Sequence, residues 1–337
     1  MGRRVHLRRA LVFGGLAVSA ACTYLAVRSI DLEVFGRALR ESEVAWLLPS
    51  LVVLGIAVVL RVLRWRLLFP RGLRPDFGPV ARALLIGLLF NNILPARAGE
   101  AARVVALHRE SGVSSFEAAA TAVSERVLDL LSLLALMLVL LLFLPGEGWL
   151  EAVAVYVVVL AAVLLAAVVG LVRLSGPAIA LVERRFPRLS GRLPRDAGAG
   201  LRRGLAVFSD PWRALGSFAL TTASWLVLAL SAWLASLAFE LSLGVLAAVL
   251  VVVAMNFAAA VPSSPGALGV FEAAILLALG VFGVDESRAL SYAVVWHALN
   301  FLPFVAIGWA VLHWHGAVVK RRVDAAETAP VAAEVPG

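Results

Sequence analysis

Long apolar runs, separated by polar stretches dense in arginine, set the pattern of this chain. They extend over Ala10 to Val27, Val44 to Leu60, Ala118 to Leu144, Ala152 to Val172, Leu215 to Phe239 and Ala289 to Trp314. A helix needs about 20 mostly apolar residues to cross the hydrocarbon core of a bilayer, so these runs predict six full spans. Two further apolar segments are broken partway. One covers Val80 to Leu94, breaks at Pro95-Ala96-Arg97-Ala98-Gly99 and resumes from Glu100 to Arg109. The other covers Val245 to Val261, breaks between Pro262 and Gly269 and resumes from Val270 to Phe282. Arms of about 10 to 15 residues give only about 15 to 22 Å of helix, short of a core about 30 Å thick. Each broken segment therefore predicts a re-entrant helical hairpin; a full span followed by an interfacial helix is the alternative.

Composition supports an all-α multi-pass integral membrane protein. Of 337 residues, 62% are hydrophobic and 15% charged, whereas soluble domains carry about 25% charged residues. The lone Cys22 excludes an internal disulfide and a cysteine-based metal site. The formal charge of +8 does not point to nucleic acid, because the arginines lie between apolar runs rather than along one face. Arg3, Arg4, Arg8 and Arg9 before the first run resemble a signal peptide; the many later spans favour an uncleaved first helix.

Charge also decides the topology. If neither hairpin crosses, the N-terminus, Arg61 to Arg82, Arg97 to Arg109, Arg173 to Arg213 and Lys320 to Arg322 all fall on one side. The opposite side receives Arg28 to Glu43, where four acids offset the arginines, together with three loops almost free of Lys and Arg. This satisfies the positive-inside rule with both termini cytoplasmic in the cytoplasmic membrane. Letting one hairpin cross would invert everything after it. Residues 1–9 then form a basic cytoplasmic N-terminus and 10–314 a single transmembrane domain. The basic cytoplasmic loop 173–213 has room for an amphipathic helix on the inner leaflet, and the Ala/Pro/Glu-rich tail within 315–337 is expected to be disordered.

The two halves match when the chain is slid by about 171 residues. Gly112-Val113 falls on Gly283-Val284, Ala118 on Ala289, Arg126 on His297 and Asp129 on Asn300, while nearly the same shift places Pro95 on Pro265 and Glu100 on Glu272. Repeat one covers about 44–144 and repeat two about 215–314. Three crossings separate their starts, so the copies enter with opposite orientation. Inverted repeats with discontinuous helices are a transporter architecture, because irregular backbone at membrane depth survives only inside protein or along a wet cavity. Structural duplication without transport is the alternative.

Polar residues inside these segments are the candidate translocation or substrate-binding groups. In the first hairpin, Asn91 and Asn92 approach the break, and Arg97, Glu100 and Arg103 follow it. The returning helix, starting near Gly99, aims free N–H groups into the break, which suits an anion such as a phosphate. Equally, Glu100 would cap that helix and pair with Arg103 at i+3. The second hairpin offers Ser263, Ser264, Gly266 and Gly269, with Glu272 beyond them. An acid at such depth is functional by default; a salt bridge to Arg97, Arg103 or Arg126 is the structural reading. Glu125, Arg126 and Asp129 cluster at one end of their run, where interfacial snorkelling competes with a site role. His297 and Asn300 are their counterparts, and a lone His is often a packing residue. Pro95, Gly99, Pro262, Pro265, Gly266 and Gly269 break the backbone. Arg61, Arg64, Trp65 and Arg66 read mainly as topology and belt residues, with lipid-phosphate contact as the secondary reading. Neither a nucleotide-binding loop nor a zinc or serine-hydrolase motif is present, so no cofactor and no metal is expected.

At Asn91 to Glu100, Glu125-Arg126-Val127-Leu128-Asp129 and Pro262 to Glu272 the chain resembles the lysylphosphatidylglycerol synthase transmembrane-region family of flippase-like proteins, over roughly Val44 to His313. Arg61-Val62-Leu63-Arg64-Trp65-Arg66 also fits its pattern. In two-domain members this region is the flippase half, beside a cytosolic domain that makes the aminoacylated lipid. A chain ending at Gly337 implies the membrane module without the synthase, so a non-enzyme.

The resulting expectation is translocation of a phospholipid or lipid-linked intermediate, with membrane lipids as partners and an anionic headgroup between the hairpin tips, held by Arg97, Arg103 and the helix ends. The rivals are an accessory subunit partnering a lipid-synthesis enzyme in an envelope-lipid or polyprenyl-glycan pathway, and a membrane enzyme acting on a lipid phosphate.

Overall fold

The computed structural model describes residues 42–94, 98–144, 155–164, 197–259 and 267–328, with a few isolated positions before 42 and between 166 and 173. The described residues are helical with connecting turns, and no strand occurs among them. Ten helices are labelled in chain order: α1 (Leu47–Leu68), α2 (Phe77–Ile93), α3 (Gly99–Ser111), α4 (Ser115–Leu141), α5 (Val155–Leu164), α6 (Ala197–Leu205), α7 (Pro211–Leu237), α8 (Val245–Ala258), α9 (Val270–Gly280) and α10 (Glu286–Thr328).

Three of these are long and apolar enough to cross a membrane: α1 with its leading turn, Val44–Leu68, mean hydropathy 2.3; α7, at 1.7; and Glu286–Trp314 of α10, at 1.6. With 27 residues α4 is as long as α7, about 40 Å at 1.5 Å per residue, but it carries Glu117, Glu125, Arg126 and Asp129. The expected span from Ala10 to Val27 lies outside the described residues, and of Ala152 to Val172 mainly α5 is described.

Helix ends follow local chemistry. Asp210 accepts from the backbone N–H groups of Trp212 and Arg213, and Pro211 occupies the first turn, where its missing donor costs nothing. This cap starts α7 four residues before the expected Leu215. α3 ends at Gly112, whose φ of +70° closes the left-handed stop. α1 does not stop at Leu60: the arginines that follow stay helical to Leu68. α10 runs on to Thr328, beyond Arg322, where a disordered tail is expected. Ala, Glu and Lys/Arg in that stretch are good helix formers.

α1 and α7 pack antiparallel along their whole length. At one end the Glu43 N–H donates to the Ala238 carbonyl at 2.8 Å. In the middle Ser50 and Ser231 exchange hydroxyl-to-carbonyl bonds of 2.8 and 3.0 Å. At the other end Arg213 Nη2 donates to the carbonyls of Leu67, Leu68 and Phe69, which terminate α1. α2 and α3 form an antiparallel hairpin: Arg82 pairs with Glu110 at its open end, and Gly87 meets Gly99 near its closed end. α8 and α9 also pack on one another. α10 crosses α2 where Gly308 faces Leu89. Such small-residue contacts let helix backbones approach without a hydrophobic force between them. From the basic loop, α6 docks on α4 through Gly200 and Gly204, with Arg203 donating to Glu117 at 2.7 Å.

Candidate functional site

The dominant polar feature is a closed ring of charge drawn from α1, α3 and α4. Arg64 on α1 forks across two acids one turn apart on α4: Nη2 meets Glu125 Oε1 and Nη1 meets Asp129 Oδ1, both at 2.5 Å. The other oxygen of Glu125 accepts from Arg103 Nη1 at 2.8 Å. Arg103 Nη2 lies 2.6 Å from Glu100 one turn back on α3, Glu100 reaches Arg126 at 2.5 Å, and Arg126 closes the circuit onto Asp129 at 3.2 Å. Each of the three arginines touches two carboxylates, and each of the three carboxylates touches two arginines.

Four of the six members are interior, while the Glu100 and Arg126 side chains are 26 and 41% exposed. Arg64, Arg103, Glu125 and Asp129 are 1, 2, 2 and 6% exposed. A charge taken out of water at such a place costs several kcal/mol on the order of the ion pair itself, so alternation of sign around a neutral circuit is what lets it exist. Supporting contacts fix the geometry. Arg103 lies over the Trp65 ring, 4.6 Å from its centroid, the Trp65 indole donates to Thr121 at 3.1 Å, and Thr221 on α7 accepts weakly from Arg64 at 3.4 Å.

A second, smaller group joins α9 to α10. Gly269, at φ +81°, opens α9, and its N–H donates to Glu272 Oε2 at 2.7 Å. Glu272 Oε1 lies 2.6 Å from His297 Nδ1 on α10, and the imidazole stacks on Phe271 at 4.1 Å. This pair and the Glu100–Arg126 pair have the same construction. In each, an acid in the first turn of the second hairpin arm bonds to a basic residue on the following long helix. The two pairs occupy positions matched by the sequence repeat.

The remaining candidates fall elsewhere. Asn91 Oδ1 points at Gly99 across the closed end of the first hairpin and has no donor among the described residues; Asn92 is half-buried beside it. Asn300 donates to the Trp296 carbonyl of its own helix at 2.9 Å, so it does not repeat the role of Asp129. Arg97, Pro95, Pro262, Ser263, Ser264, Pro265 and Gly266 lie outside the described residues.

Several expectations change. Arg64 and Trp65 are not belt residues: both are buried, and Arg64 is the hub of the ring. Glu125 and Asp129 do not reach outward as snorkelling side chains would: both are buried against Arg64. The partner of Glu272 is His297, while Arg103 and Arg126 are held by Glu100, Glu125 and Asp129. Arg103, so engaged, is not available to a headgroup. The available signal for Arg64 was spacing: Leu47, Ser50, Leu54, Ala57, Arg61, Arg64 and Leu68 recur at intervals of three and four, the stripe of one helix face, and nearly all of them are buried.

Comparison with known proteins fits this architecture. Residues 12–308 match the family described as lysylphosphatidylglycerol synthase TM region. A UPF0104 membrane protein of Methanothermobacter thermautotrophicus is 24% identical over 336 residues, covering 93% of this chain and 96% of that protein. The glycosyltransferase AglD of Haloferax volcanii is 27% identical over 327 residues, 87% of this chain but 52% of that protein, so the chain spans about half its length. With the match running across nearly all of its apolar helices, this integral membrane protein belongs to the lysylphosphatidylglycerol synthase transmembrane-region family.

Proposed function

We propose that this chain moves a phospholipid or lipid-linked intermediate across the cytoplasmic membrane without altering it chemically. In this reading about six spans and two re-entrant hairpins form an inverted repeat, with both termini cytoplasmic. The observation that carries it is the matched pair of latches, Glu100–Arg126 at 2.5 Å and Glu272–His297 at 2.6 Å. Each ties a hairpin to its neighbouring helix. Opposite insertion of the two repeats puts one latch toward each leaflet, and opening them in turn gives alternating access to a polar centre. The ring supports this, because its members have spare pairings: a carboxylate released by one arginine keeps a second arginine. His297 is the basic partner in the second latch.

The test is a leaflet-accessibility assay in proteoliposomes. Wild type moves labelled phospholipid faster than protein-free liposomes, and Glu272→Gln, which weakens one latch, slows movement by about tenfold, the equivalent of about 1.4 kcal/mol in the barrier. Equal movement by both proteins removes Glu272 from the mechanism, and no movement by wild type removes translocation.

A second reading has one observation in its favour. A relative bearing the name glycosyltransferase carries this region as about half of its length, which suits an accessory membrane module beside an enzyme of lipid or glycan assembly. It predicts co-purification with such an enzyme and no lipid movement by the chain alone.

A further inference from the structure

The ring balances its own charge, but the cation beside it takes no part in that balance. Arg61 lies one turn before Arg64 on the same face of α1. Among the described residues it makes no ion pair. Asp129 is the carboxylate that acts on it most strongly, and Asp129 is already shared by Arg64 and Arg126. Those two arginines add positive potential at Arg61, against which Glu125 acts more weakly from within the ring. The Arg61 guanidinium lies over the face of Trp225 on α7, 4.9 Å from the ring centroid. Trp225 is itself 4% exposed, and its indole Nε1–H has no acceptor.

An uncompensated guanidinium and an unanswered buried donor, side by side, call for the same thing: an anionic acceptor. A buried donor without an acceptor costs about 1–3 kcal/mol. The Trp225 ring face orients the guanidinium through cation–π contact. A guanidinium edge matches the spacing of two phosphate oxygens, and a third oxygen can accept from a neighbouring N–H. We infer that Arg61 and Trp225 form the binding point for one phosphate group of the lipid. This rests on the translocation reading and relocates the headgroup from the hairpin tips to the α1–α7 seam, next to the ring.

The experiment measures lipid binding apart from lipid movement. Purified full-length protein is titrated with short-chain phosphatidylglycerol, with diacylglycerol and with inorganic phosphate, and bound ligand is read by native mass spectrometry. Wild type retains phosphatidylglycerol but not diacylglycerol, and millimolar inorganic phosphate does not displace it. Arg61→Gln weakens retention by about tenfold and Trp225→Phe by about threefold, as loss of charged and neutral hydrogen bonds implies. Arg61→Lys, which keeps the charge, recovers part of the loss. The thermal midpoint of Arg61→Gln stays near that of wild type, because no ion pair is lost. Equal retention by wild type and Arg61→Gln overturns the inference and leaves translocation standing. Displacement by inorganic phosphate at the affinity of the lipid overturns its assignment to a lipid. Lost retention in Arg61→Gln, with no movement by wild type in the separate assay, upholds the site and sinks translocation.

Discussion

Arg64→Met lowers the unfolding free energy by about 3–5 kcal/mol, the range for removing one partner of a buried ion pair. The cause is what the substitution leaves behind. Glu125 and Asp129 are almost fully buried, and among the described residues Arg64 is the only one that forms an ion pair with both of them. Methionine fills much of the arginine volume, so packing loss contributes little. The double variant Arg64→Met, Glu125→Gln keeps the ring neutral, because Asp129 retains Arg126 and Arg103 retains Glu100. It recovers at least half of the lost stability, because removing both partners of a buried pair costs far less than orphaning one. Unfolding measured in bicelles distinguishes the two outcomes. A single variant as stable as wild type would mean that water reaches the ring in the resting protein.

The second large effect is expected at Gly99, where the first hairpin closes. A methyl group placed there would run into the carbonyl oxygen of Gly87 and sit 2.5 Å from Asn91 Oδ1. The first obstacle is backbone on a packed helix and cannot swing aside. Gly99→Ala therefore costs about 3 kcal/mol, the upper part of the overpacking range, and pries α3 from α2. Because Glu100 is the next residue, the Glu100–Arg126 latch shifts with it and lipid movement falls in parallel. Gly55→Ala on α1 is the control. Nothing lies within 4 Å of its added methyl group, and alanine is the better helix former by about 1 kcal/mol. That variant keeps both stability and transport.

Much of this architecture was legible because bilayer physics writes it in long runs. Apolar segments located α1, α4, α7 and α10, and the Pro/Gly interruptions located the α2–α3 and α8–α9 units. The repeat put Glu100 with Glu272 and Arg126 with His297, but it did not reveal that each acid would hold the base of its own half. That contact depends on how the second arm packs on the next helix, which no short-range spacing encodes. Arg64 was misjudged for a related reason. An arginine-rich end to an apolar run usually marks an interface, and only its register with Ser50, Leu54 and Ala57 turns it inward. Ser50 with Ser231, and Glu117 with Arg203, join residues far apart in sequence. Neither pair stands out from the polar residues around it.

The central claim is that both broken segments turn back inside the bilayer. Single cysteines at Gly72, Arg109, Ser242 and Asp285, all exposed, in a Cys22→Ser background report on it through a membrane-impermeant thiol reagent applied to intact cells and to inverted vesicles. The account predicts that 72 and 109 react together from the cytoplasmic face, and that 242 and 285 react together from the opposite face. Reaction of 109 from the side opposite 72, or of 285 from the side opposite 242, would contradict it.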